Sequence, residues 1–144
     1  MQLIGFNFTK ISGERFKGVR PDLKIDSDVT ITDIKKQELD IIKDDQVLSF
    51  EFDLKILYSP KIAEISFTGL VLFAFGKDDS KDILAAWKDK KVLDKVRMPL
   101  INLIMNKCTL KALQIEEEFN LPLHIRMPQL VAPDSPEAKS SKKE

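Results

Sequence analysis

One cysteine, one histidine, one tryptophan, one tyrosine and five glycines stand in a chain of 144 residues. The single cysteine excludes an internal disulfide and a thiolate metal cluster, and it points to a reducing cytosol. One histidine and one cysteine also leave few of the side chains from which catalytic sites are assembled. Phosphate cradles need glycines close together, and these are scattered. No G-x-G-x-x-G, P-loop, EF-hand, H-E-x-x-H or G-x-S-x-G spacing occurs. No sign of charge dominates: 23 basic and 23 acidic residues sum to zero, which counts against a basic domain that tracks nucleic-acid phosphates. Long hydrophobic runs are missing as well. The most apolar stretch, residues 65–75, is interrupted by Ser66, Thr68 and Gly69, whereas a spanning helix needs about 20 apolar residues. The first ten residues have no basic flank and are broken by Asn7, unlike a secretory leader. The expectation is a soluble cytoplasmic protein with no cofactor, no metal, no nucleic acid and no membrane partner.

What is present is a well-patterned single domain. At 43% hydrophobic content, a chain of this length buries roughly 68–70% of its unfolded surface and needs no staple. Ile4, Phe6 and Phe8 share one parity, so a short strand is predicted there. A Gly-bearing stretch, residues 12–21, reads as a loop that still holds Phe16 and Val19. Leu23, Ile25, Val29 and Ile31 alternate with polar residues in a second strand, with Ser27 the only fault on its apolar face. Residues 48–58 and 63–75 alternate more strongly and are joined by a short turn containing Pro60, which predicts an antiparallel hairpin. From Leu70 to Phe75 both faces are apolar, so that end is expected to be covered on both sides. The Asp78-Asp79-Ser80 cluster marks a helix start, and Pro99 a boundary before a second, longer helix over residues 100–119. The prolines at 122 and 128 make the following segment extended. Residues 1–132 are thus assigned to a single α+β domain and residues 133–144 to a disordered mixed-charge tail. The fold class is α+β, a four-stranded antiparallel sheet followed by a short and a long helix on one face.

Few residues invite a chemical role. His124 has no Cys, Asp or Glu within five residues on either side, so it is assigned as a structural or surface histidine. Cys108 falls on the apolar face of the long helix and reads as a small hydrophobe; partnership with His124 in space stays open. Asp44-Asp45 and Asp78-Asp79 are ordinary turn and cap residues, and Glu116-Glu117-Glu118 reads as a solvated face. No enzyme is predicted. Arg15, Lys17 and Arg20 gather around Phe16 in the first loop, a weak nucleic-acid hint. Leu103, Leu110 and Leu113 lie on the far side of the long helix from its apolar stripe. Either another element covers them, or they form an oligomer or peptide-binding surface.

This layout resembles the SecB chaperone family. Gly69-Leu70-Val71-Leu72-Phe73 is similar to that family's last-strand pattern, and Val96-Arg97-Met98-Pro99 to its L-F-P entry to the long helix. Leu121-Pro122-Leu123-His124-Ile125 is similar to its proline-containing exit, with Met127-Pro128-Gln129-Leu130 as a second candidate. The resemblance implies ATP-independent holding of unfolded polypeptide clients through exposed apolar grooves. It implies a homo-oligomer, a dimer or a tetramer, and a role in protein transport or in a toxin–antitoxin pair. Phe16, Val19, Phe119 and Leu121 are the implied peptide-binding residues, and Leu103, Leu110 and Leu113 the implied subunit contacts. The competing expectation is a small non-catalytic interaction module with one specific partner. A third, an enzyme built on Cys108 or the paired acids, has no positive support.

Overall fold

The computed structural model of the chain describes residues 1–38, 44–128, 130 and 132; the assigned tail, residues 133–144, lies outside them. Four strands come first: β1 Gln2–Arg15, β2 Lys24–Gln37, β3 Gln46–Ser59 and β4 Ala63–Phe75. Two helices follow, α1 Lys77–Lys88 and α2 Asp94–Glu118. The sheet is antiparallel throughout, in the order β1-β4-β3-β2, so the best-patterned pair lies at its centre. Tyr58 faces Ala63 across the β3–β4 turn, where the Ser59–Pro60 peptide is cis.

The alternation of β3 and β4 decides which face is the core. Phe50, Phe52, Ile56 and Tyr58 of β3, with Ile65, Phe67 and Val71 of β4, are almost wholly buried. Directly opposed residues in an antiparallel pair point to the same side. Register therefore carries this face outward to Phe6 and Phe8 of β1 and to Val29, Ile31 and Ile34 of β2. Both edge strands run further than the sequence predicts. β1 absorbs Ser12, Gly13, Glu14 and Arg15, assigned to a loop, because a bulge between Phe8 and Lys10 resets its parity and brings Ile11 and Gly13 onto the inner face. Leu70 and Leu72 are half-buried, so the expected full cover on both faces of that end is not reached.

Ile83 of α1 and Val96, Leu100, Ile104, Cys108 and Ala112 of α2 close the core over the sheet. The buried residues of α2, ending at Glu116, recur every four positions. They form a single i+4 ridge, and such a ridge runs oblique to the helix axis, roughly 26° from it. Pro99 does not bound this helix as predicted; it is the sixth residue inside it. Only the Lys95 carbonyl loses its intrahelical donor there, and burial of Val96 and Leu100 on either side outweighs one missing hydrogen bond. Ser80, placed by sequence in a helix-starting cluster, is fully buried and donates from its hydroxyl to Gln46 Oε1 at 2.7 Å, tying α1 to β3.

Both helices end in the same device without a glycine. Lys90 N–H donates to Trp87 O and Lys91 N–H to Ala86 O; Asn120 N–H donates to Glu117 O and Leu121 N–H to Glu116 O. These are Schellman closures, with Lys90 (φ 59°) and Asn120 (φ 53°) in the left-handed position.

Candidate functional site

β2 is a sheet edge, so among the described residues no strand lies beyond it to cover the outer flank of its inward residues. The α2 ridge drops Leu100, Ile104 and Cys108 straight onto the sheet. Ile101 and Met105, one position further round the helix, overhang β2 instead. A trough results between edge strand and helix, in three confluent recesses that all touch Val29. Its floor is Val29, Ile31, Leu54 and Ile56; its helical wall is Met98, Ile101 and Met105. Met98 is 69% exposed and Met105 45%, high values for side chains with this much apolar surface. Methionine suits such a wall because its flexible thioether adapts to varied partners. By helical period Ile101 and Met105 share the face of Leu100, Ile104 and Cys108 and read as core, while Met98 enters the sequence reading only through the entry pattern of residues 96–99. The usable signal was the spacing 98, 101, 105 beside a β2 pattern that needs a cover, but only the crossing angle of α2 turns it into a groove.

One end of the trough is set by His124 and Ile125 of the exit segment. Here Glu116, assigned to a solvated face, is fully buried. Its carboxylate accepts from the His124 backbone N–H at 3.0 Å and sits 2.9 Å from His124 Nδ1. It also hydrogen-bonds the Tyr58 hydroxyl, which lies 2.7 Å from the Pro122 carbonyl, so one phenolic proton serves two acceptors. Burial, then the hydrogen bond and charge of Glu116, push the Tyr58 phenol well above its ordinary range. Of the two assignments, structural or surface, the geometry supports the first: His124 ties the exit segment to α2 through Glu116, and Pro122 ties it to β3 through Tyr58. The partner of His124 escaped the sequence because a window of five residues does not reach eight positions back to Glu116.

The other end lies beneath Trp87, whose indole N–H donates to Asp33 Oδ1 at 3.2 Å. Lys90 stands over the indole ring, 4.8 Å from its centroid. Lys91 and Arg97 complete this end together with Thr30 and Thr32 of β2. The recess holds about 740 Å³.

The residues named from sequence are distributed as follows. Phe16 and Val19 are exposed, at 51% and 44%. Phe119 is half-buried, and its ring lies where a Cβ on Gly13 would come within 2.8 Å. Arg15 donates to the Phe119 carbonyl from Nη1 and to the Lys17 carbonyl from Nε, so the start of the first loop and the end of α2 are joined beside Phe16. Leu121 is a core residue, 6% exposed. The three far-side leucines do not form one stripe. Leu103 is half-buried against the core, Leu113 lines a small recess with Leu121, Leu123 and Met127, and Leu110 is 66% exposed.

Cys108 is buried in the core, and burial pushes its thiol up to about 12. A thiol held protonated is a poor nucleophile. His124 lines the same recess as Cys108, but its Nδ1 is committed to Glu116. Asp79 is tied to Lys95 at 2.8 Å, an exposed pair that joins the two helices. Among the described residues no group of three or more His, Cys, Asp or Glu is placed to hold a metal ion, and no helix is long and apolar enough to cross a membrane.

This fold is that of the SecB-like chaperones. A SecB-like chaperone of Mycobacterium tuberculosis, Rv1957, solved in complex with a ChAD peptide from the Rv1956 HigA1 antitoxin, aligns over 92% of this chain and 91% of its own, with a TM-score of 0.51 at 14% identity. No family model and no curated protein matches the sequence. At 14% identity the likeness is one of architecture rather than of residues.

Proposed function

We propose that the chain is an ATP-independent, SecB-like chaperone that holds unfolded polypeptides in the trough between β2 and α2. The observation that carries this is the trough itself: an apolar channel, walled by exposed methionines, that none of the described residues covers. Apolar burial without a fixed pattern of hydrogen bonds favours extended clients over native ones and makes little sequence demand. Phe16, Val19, Phe119 and Leu121 are proposed as further client contacts outside the trough. Leu110, flanked by Leu103 and Leu113, is the proposed contact between subunits of a homo-oligomer. The setting proposed is the cytoplasm, with no cofactor.

A second function has one observation in its favour. The structural neighbour is recorded with a peptide of a single antitoxin, which suits a non-catalytic module dedicated to one partner. The two are separated by a light-scattering assay in which several unrelated denatured proteins are diluted into the chaperone without nucleotide. Suppression of aggregation near stoichiometric ratios for most clients, weakened by Ile101→Asp, is expected. Failure with every client while the protein is folded would leave only the dedicated-partner function.

A further inference from the structure

The trough is not uniform along its length. At the Trp87 end its lining holds three cations, Lys90, Lys91 and Arg97, and no acid. A chain with zero net charge could balance these locally, yet among the described residues none of the three forms an ion pair. Two acids lie close by: Asp33 accepts from Trp87, from the Ile34 N–H and from Lys35, and Asp94 lines the adjoining recess, which Arg97 also lines, without pairing with it.

A second, independent feature marks the same place. The left-handed closing position of α1 is filled by Lys90, at φ 59°, where glycine would be unstrained. A lysine there costs about 1 kcal/mol of backbone strain, and its ammonium stands over the indole.

We propose that this end of the trough is an anion subsite that fixes the register of a bound chain. Its occupant is an extended peptide whose apolar stretch is flanked by Asp or Glu side chains. The inference rests on the peptide-holding function and sharpens it. Apolar side chains settle on Val29, Ile101 and Met105, while the carboxylate enters between Lys91 and Arg97. The favoured client then differs from a purely apolar one by charge at a single end, and charge complementarity of this kind sets selectivity more than total affinity.

Trp87 is the only tryptophan, so its fluorescence reports occupancy of this end directly. Extended peptides of about ten residues with one apolar core would be titrated against the full chain, flanked at either end by Asp-Glu, Ser-Ser or Lys-Lys. The expected result is that one acidic peptide binds about tenfold tighter than its serine counterpart and that the lysine peptides bind more weakly. Raising salt should compress these differences. In Lys91→Gln/Arg97→Gln the acidic-to-serine ratio should collapse to about one, and circular dichroism checks that the variant is folded. Equal binding of all peptides to the wild type overturns the anion subsite and leaves the trough standing. Absence of binding by any peptide overturns both. A Trp87 response to protein concentration alone, removed by Arg97→Glu, would give the surface to a second copy of the chain and also overturn the proposal.

Discussion

Glu116 has no exposed surface, and its carboxylate meets the Tyr58 hydroxyl, the His124 backbone N–H and the His124 ring. Removing one partner from a buried network leaves the others desolvated and unpaired, which costs more than the network contributes when whole. Glu116→Ala is therefore expected to lose about 3–5 kcal/mol, a large share of the roughly 5–15 kcal/mol of an ordinary domain. Tyr58→Phe, which removes one donor, should lose about 1–3 kcal/mol; urea unfolding midpoints measure both. Cys108 and Tyr58 also set the alkaline limit. Their folded values lie above the ordinary 9.0 and 10.0, so once pH passes those values the unfolded chain releases protons that the folded chain keeps. Stability contributed by the neutral groups is complete below about pH 9 and declines as pH rises toward 12, by at most about 1.4 kcal/mol per pH unit for each group. Denaturant titrations across this interval check the slope, and a rise in stability there would contradict it. Gly13→Ala would press a Cβ to within 2.8 Å of the Phe119 ring and displace the corner of α2.

Among the elements, α2 decides most of what is distinctive. Its buried positions fall on one i+4 row, so its axis crosses the sheet obliquely and leaves Met98, Ile101 and Met105 hanging over β2 rather than inside the core. Pro99 is a measurable flaw in that helix. Pro99→Ala returns an N–H to the Lys95 carbonyl and is expected to stabilise by about 1 kcal/mol, read as a rise in thermal midpoint. At the end of α1, Lys90→Gly relieves a left-handed lysine and loses a cation over Trp87. The backbone gain and the cation–π loss are of similar size, so stability should rise by about 0.5 kcal/mol at most while preference for the acidic peptide falls. A stability gain paired with a binding loss is the signature of a strained residue kept for recognition.

For the whole molecule, the sheet ends in two edge strands of 14 residues each, with no further strand beside either among the described residues. Such edges are templates for pairing with another chain unless bulged or charged. β2 carries Asp26, Asp28, Lys35 and Lys36 along its length and one bulge, which blunts it against other sheets while leaving its inner flank open to a peptide. β1 has exposed Leu3 and Ile11 despite its two irregularities. The proposed homo-oligomer should appear in multi-angle light scattering as a multiple of the 16.5 kDa chain mass. Leu110→Glu should shift that mass downward; a wild-type monomer at all concentrations would remove the subunit-contact assignment for Leu103, Leu110 and Leu113.

Strict alternation in β3 and β4, and helical spacing after Gly76, were enough to establish the α+β class, the central hairpin and the order of elements. Period is a local property, and a residue's neighbours two or four positions away decide it. The poverty in histidine and cysteine was informative for the same reason, since composition needs no coordinates. Three-dimensional placement decided everything that joins distant positions. Glu116 reads as a surface glutamate until Tyr58 and His124 are brought to it from β3 and the exit segment. Pro99 reads as a boundary until the burial of Val96 and Leu100 is weighed against it. The zero net charge, read from composition as neutrality, resolves in space into an apolar trough with three cations at one end that form no ion pair among the described residues. A sum over the chain carries no positions, and a groove between an edge strand and a helix exists only through the angle at which the two cross.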